Sequence, residues 1–258
     1  MGAARTPPLD RRDPRARTDT LSGMTDTVET TETIWPVDTA QRRAARVIGA
    51  LYLVLMAAGV FAQIYVPGTF PGADDTAQRF LDHERLLRVG AAVDLLCDVG
   101  DAALAVAYFV LLRKVSWPLA ALGAFWRLAQ VAVLAAYTLT NTVVLQLVSG
   151  ADEVRALDPD QAAALAWVAT SAHTVGYSIG LVFLGLGSTV FAYLLYRSRY
   201  VPRWLAGLGV VASALLATGS LVTIAFPEAT AVVNPALYAP MFVFEMTTGV
   251  LLLVRGVR

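Results

Sequence analysis

Asp94, Asp98 and Asp101 stand inside an apolar run from about Val89 to Leu112. Their i, i+4, i+7 spacing puts three carboxylates on one face of a helix. A second polar stripe, Arg127, Gln130, Tyr137 and Asn141, lies in the run from Trp117 to Val148, and Glu245 stands in the middle of the last run. A charge at the centre of a bilayer costs about 2.5–3.5 kcal/mol on insertion scales. Acids in such runs therefore need a partner, water or a task. The chemistry open to them is charge pairing, proton exchange or the holding of a small solute. One arginine cannot neutralise four carboxylates, so at least one acid is expected to be carried protonated.

Depth is counted from the proposed inner ends of the runs. Arg127 and Glu245 lie roughly 15 Å in, Asp101 roughly 16 Å and Asp98 roughly 21 Å. These four are expected to meet near the midplane. Together with Gln130, and with Asp94 towards the outer side, they form the candidate polar cluster. A second, outer cluster is expected from Arg88, His173 and Tyr177, with Asp94 in reach. Two readings of the midplane cluster stay open. One is a structural ion-pair network in which Arg127 bridges two carboxylates. The other is a polar cavity for a substrate, an ion or a proton.

The elements that must position these groups are six apolar runs. They span about residues 45–66, 89–112, 117–148, 171–196, 204–226 and 235–254. Each is about 20 residues or longer, enough to cross a hydrocarbon core of roughly 30 Å as a helix. None alternates with period two, which disfavours a barrel. Gly and Pro mark the ends: Pro67-Gly68, Ser149-Gly150 and Pro227. Composition agrees. The 258 residues are 57% hydrophobic and 16% charged, against about 25% charged in a soluble domain. The fold class read from this is all-α, a polytopic membrane bundle of six transmembrane helices.

Orientation follows from Lys and Arg. With a cytoplasmic N-terminus, the tail, Arg113-Lys114, Arg197 to Arg203 and the C-terminus are inside. These segments hold most of the 20 basic residues, and the outer loops hold only Arg79, Arg85, Arg88 and Arg155. Outside the tail no inner loop has an acid, and the loop acids fall in the outer loops. This is the positive-inside pattern, with both termini cytoplasmic in a bacterial inner membrane. Trp117, Trp204, Tyr196 and Tyr200 sit at the inner boundary, and Tyr65, Trp167 and Tyr238 near the outer one. Residues 1–42 read as a polar, disordered cytoplasmic tail. No apolar run precedes Val47, so no secretory signal is expected. Asp158-Pro159 reads as a helix start, and a helix from there to Tyr196 would be about 57 Å long. It must project from the membrane or break at its surface. Asp74-Asp75-Thr76 opens a short amphipathic stretch towards the second span.

Other signals narrow the function. The net charge of zero gives no footprint for nucleic acid. Two histidines and one cysteine make a standard zinc or iron–sulfur site untenable, so no metal and no cofactor is expected. His83-Glu84 lacks the second histidine of a metalloprotease motif, and no phosphate loop or nucleophile elbow is present. The reading therefore leans away from an enzyme. Gly176 and Gly180 form a GxxxG pattern, expected to seat another helix of the same bundle. Cys97 is expected to serve packing, and His173 to hydrogen-bond near the interface. Ala107-Tyr108 to Gly123 echoes Ala192-Tyr193 to Gly209, which a duplicated hairpin or chance in an Ala/Leu/Gly-rich chain would each explain.

Several stretches together resemble a known family. They are Arg46-Val-Ile-Gly-Ala-Leu-Tyr52, Leu87-Arg88-Val-Gly90 leading into Asp94-Leu-Leu, Phe125-Trp-Arg127-Leu, His173-Thr-Val-Gly-Tyr177-Ser-Ile-Gly-Leu-Val-Phe-Leu-Gly185, and Glu245. In this order they resemble the bacterial membrane family catalogued as domain-of-unknown-function family 4386, over about Arg43 to Val257. The resemblance implies an integral membrane protein with several helices and no known activity. Arg88, Arg127, His173 and Glu245 fall where that family places similar residues. The expected partners are the lipid bilayer and a small solute or protons. The rival is a non-transporting sensor or partner subunit.

Overall fold

The computed structural model describes residues 37–66, 69, 84–148 and 158–257. Among the described residues the chain is helical throughout. The elements are α1 (Thr39–Val60), continued by a π-helical turn (Phe61–Tyr65), α2 (Glu84–Leu112), α3 (Trp117–Val148), α4 (Pro159–Ser198), α5 (Arg203–Ala225), a 3₁₀ turn (Pro227–Ala229) and α6 (Thr230–Val254). Six of these helices are long and apolar enough to cross a membrane. They are the six expected from the apolar runs. Four begin several residues before the apolar runs, α1 at Thr39, α2 at Glu84, α4 at Pro159 and α6 at Thr230, because helix propensity extends past the lipid-facing segment.

Helices adjacent in sequence pack side by side, and α1 packs on α6. The bundle is therefore a closed ring of six helices around an interior. The outward faces are apolar. On α2, Leu95, Leu96, Val99 and Val106 are exposed while Asp98 is buried. Phe125 on α3, Leu139 on α3 and Ile64 beyond α1 are likewise exposed. This is the reverse of a soluble helix and suits a lipid surround.

In lipid there is little hydrophobic drive between helices, so close packing must hold them. Glycines allow it at several seams. A Cβ on Gly49 of α1 would lie 2.5 Å from the Leu253 backbone nitrogen of α6. A Cβ on Gly185 of α4 would lie 2.6 Å from Ser213 O and Ala217 N of α5. Gly176 and Gly180 of the GxxxG pattern face Tyr137 and Leu134 of α3, so that contact is inside the bundle, as expected. The glycines of the sequence echo share a role: Gly123 seats the ring of Phe191 and Gly209 that of Phe244. Its tyrosines do not, since Tyr108 is buried and Tyr193 exposed.

The half of the bundle nearest the termini is solid. Ile48, Leu111, Leu112, Leu194, Leu205 and Leu252 are fully buried there. α1 starts with a capping box: Asp38 Oδ1 accepts from Gln41 N at 2.7 Å, and Gln41 Oε1 accepts from Asp38 N at 3.1 Å. The Gln41 amide also donates to Leu111 O at 2.8 Å and to the Tyr200 hydroxyl at 3.1 Å. Asp38 pairs with Lys114 at 2.9 Å. One short segment thus ties the starts and ends of α1, α2 and the α4–α5 turn. In that turn Arg199 has φ 58°, a left-handed helix stop of the kind glycine usually supplies.

α4 settles the question of its length. It runs unbroken for 40 residues, so it extends past the hydrocarbon core on the side away from the termini. The amphipathic stretch expected from Asp74 and the side chain of Trp167 lie outside the described residues, as does the expected tail up to residue 36. The remainder of the expected tail differs: the helix has already begun at Thr39.

Candidate functional site

The interior of the ring holds a half-open cavity of about 460 Å³. Every one of the six helices contributes to its wall. The α2 stripe supplies Asp94, Asp98 and Asp101, as the i, i+4, i+7 spacing requires. These carboxylates descend in steps of roughly 6 Å and 4.5 Å along the helix axis. α3 faces them with Arg127, Gln130 and Tyr137, and α6 with Glu245, Met241 and Phe242. All six residues of the expected polar cluster therefore border a single cavity.

Asp101 is held through both of its oxygens. Arg127 Nη2 donates to Asp101 Oδ1 at 2.7 Å, and Gln130 Nε2 donates to Asp101 Oδ2 at 2.8 Å. Gly187 of α4 makes room for this arginine: a Cβ there would lie 2.8 Å from Arg127 Cγ. Glu245 shares the charge environment of Arg127 and Asp101. Yet no hydrogen bond or ion pair joins Glu245 to Arg127 among the described residues. The bridge of Arg127 between two carboxylates is therefore not made: the guanidinium pairs with Asp101 alone.

Asp98 lies one turn above Asp101. It is buried, and its Oδ2 has no partner among the described residues. Arg127 Nη1 and Gln130 Oε1 share that condition. Next comes Asp94, whose Oδ1 accepts from Gln63 Nε2 at 2.8 Å. The same amide donates to the Tyr137 hydroxyl at 3.2 Å. Towards the termini Tyr52 lines the cavity, backed by further rings that do not line it. The Tyr108 hydroxyl donates to Tyr52 at 3.0 Å, and the Tyr108 ring stacks on Phe191 at 4.7 Å. The exposed lining residues, Val60, Ile64 and Phe242, sit on the α1–α6 side.

Of the expected outer cluster, His173 and Tyr177 both meet the ring of Tyr137 edge-on, at 4.3 Å and 6.0 Å. Tyr177 lines the cavity, and Asp94 belongs to the same cavity as Asp98. His173 stands behind the wall, edge-on to Tyr137 at 4.3 Å with Nδ1 3.2 Å from Thr140 Oγ1. That is the hydrogen-bonding part expected of it. Arg88 is exposed and does not line the cavity. Cys97, expected to serve packing, borders the cavity beside Asp98.

Gln63 was missed by sequence reasoning. It is a lone amide near the end of the first span, and its helical phase did not mark it. The π-helical turn Phe61–Tyr65 supplies the reason. An extra residue in a turn re-phases the residues after it, and such turns recur at functional sites. Tyr52 and Tyr108 were also missed, because a tyrosine in an apolar run reads as core.

Among the described residues no group of three His, Cys, Asp or Glu is placed to hold a metal ion. The family described as Domain of unknown function (DUF4386) matches residues 47–256. The chain belongs to that family. Its members are thus represented here by a six-helix ring with a carboxylate-lined interior. No curated protein and no solved structure matches the chain.

Proposed function

We propose that this DUF4386 member is a multi-pass protein of the bacterial inner membrane that carries a small solute through proton-linked steps. One observation carries the reading: a cavity lined by all six helices reaches Asp98, Asp101, Arg127 and Glu245, and Asp98 Oδ2 faces no protein partner. A purely structural network would be dry and fully paired, because each buried orphan costs about 1–3 kcal/mol. With the N-terminus cytoplasmic, the solid half of the bundle faces the cytoplasm. The Gln41–Tyr200–Leu111 latch then acts as a closed inner gate, and the cavity faces outward.

The rival reading is a sensor or partner subunit with structural charges. The tight Asp101–Arg127–Gln130 set is the observation in its favour. Infrared difference spectroscopy of reconstituted protein, from about pH 5 to about pH 9, separates the two. A protonated carboxyl band that titrates in this window, and vanishes in Asp98→Asn or Glu245→Gln, supports the carrier. A band that never titrates, or none at all, overturns it in favour of the structural reading.

A further inference from the structure

The unmatched atoms around the cavity specify a ligand chemistry. Asp98, Gln130 and Arg127 are 6%, 1% and 3% exposed, and each carries one buried polar atom without a partner. Two of the three orphans, Asp98 Oδ2 and Gln130 Oε1, can only accept hydrogen bonds while Asp98 is ionised. The Gln130 amide has one orientation open to it, since its nitrogen must donate to Asp101 Oδ2. Its oxygen is therefore fixed as an acceptor. Both orphan acceptors border the same carboxylate: Gln130 bonds Asp101, and Asp98 precedes it by one helical turn.

Charge points the same way. Four carboxylates line the cavity against one arginine, and that arginine is already engaged by Asp101. The remaining wall is largely apolar and aromatic, with Tyr137, Tyr177, Tyr238 and Phe242. Such rings hold a cation over their faces and an apolar body against their sides. A bare inorganic cation needs a tight oxygen shell. This cavity is instead within the size range of small-molecule sites.

Building on the carrier reading, we infer that the cavity takes a monovalent organic ammonium ion, a primary or secondary amine with an aryl or alkyl body. Its N–H groups reach Asp98 Oδ2 and Gln130 Oε1, both covered by protein in this structure, as the two side chains shift towards the cavity, and its body lies against the tyrosines. Arg127 positions Asp101 and repels the ammonium from the floor. An anionic ligand has only Arg127 Nη1 to receive it and four acids to oppose it.

The test is calorimetric binding to the full-length protein in lipid nanodiscs. The probes are benzylamine, phenethylamine and tryptamine. The controls are hydrocinnamate, phenethyl alcohol and sodium chloride. At least one amine binds saturably, and the controls neither bind nor compete. Asp98→Asn and Gln130→Leu each weaken the amine about tenfold or more, the loss expected for a hydrogen bond to a charged group. Asp98→Asn leaves the Asp101–Arg127–Gln130 set untouched and holds the test open if Gln130→Leu does not fold. The inference is overturned if no amine binds, if hydrocinnamate binds as well, or if the variants bind like the native chain. Amine failure with a titrating infrared band removes the ammonium assignment and leaves the proton-linked carrier. Amine failure without that band removes both.

Discussion

Arg127 grips Asp101 with Nη2 at 2.7 Å and leaves Nη1 without a partner, although Glu245 borders the same cavity. The pair is a fixed point in a cavity whose other acids are held more loosely. Replacing Arg127 with Leu strands a carboxylate in the bundle, a change costing about 3–5 kcal/mol. The thermal unfolding midpoint in detergent falls by about 6–20 °C for a chain of this size. Adding Asp101→Asn recovers part of the loss, because the stranded charge is then gone. An unchanged midpoint in Arg127→Leu would show that the pair does not hold the bundle.

Gln63 joins α1 to α2 and α3 through one amide. Gln63→Leu removes a donor from the Asp94 carboxylate and costs about 1–3 kcal/mol. A double-mutant cycle with Asp94→Asn gives a coupling energy of about 0.5–3 kcal/mol. Additive effects would mean that the two side chains do not meet.

Two glycine substitutions are expected to part company. Gly49→Ala drives α1 from the α6 backbone and lowers stability by about 1–3 kcal/mol. Gly207→Ala meets nothing within 4 Å and is neutral or stabilising by up to about 1 kcal/mol. Thermal scans of both variants in the same detergent check the contrast. Equal effects would contradict the α1–α6 seam.

The single cysteine of the chain, Cys97, borders the cavity beside Asp98. Methanethiosulfonate reagents of opposite charge therefore report on the local field. Relative to their rates with a free thiol in solution, the trimethylammonium reagent gains on the sulfonate by about tenfold or more, since acid-lined clefts concentrate cations. Applied from one face of sealed vesicles at a time, the same reagents identify the face from which the cavity opens. A rate ratio equal to that of a free thiol would remove the electrostatic basis of the ammonium site.

At the start of α1, the Gln41 backbone N–H and then Lys114 hold the Asp38 carboxyl below its ordinary value of 3.8. A carboxyl lowered in this way stabilises the fold above its unfolded pKa and loses that contribution as pH falls through its folded pKa. The native chain and Asp38→Ala should therefore differ in midpoint at neutral pH and converge as pH falls through the lowered folded-state pKa. A gap that persists at lower pH would assign Asp38 a role other than its charge.

Much of this protein is legible along the chain, because a bilayer imposes simple rules. A helix must satisfy its own backbone and present apolar side chains to lipid, so six long apolar runs specify six helices. The spacing of Asp94, Asp98 and Asp101 likewise places them on one face without reference to any other helix. Partner choice is a different kind of property. It depends on how each helix is rotated and how closely its neighbours approach, and hydropathy is blind to both. Only the tertiary structure could decide that Arg127 takes Asp101 and not Glu245, and that His173 stands behind Tyr137. It also decided that Asp94 meets Gln63, an amide brought inward where a π-helical turn re-phases the end of α1.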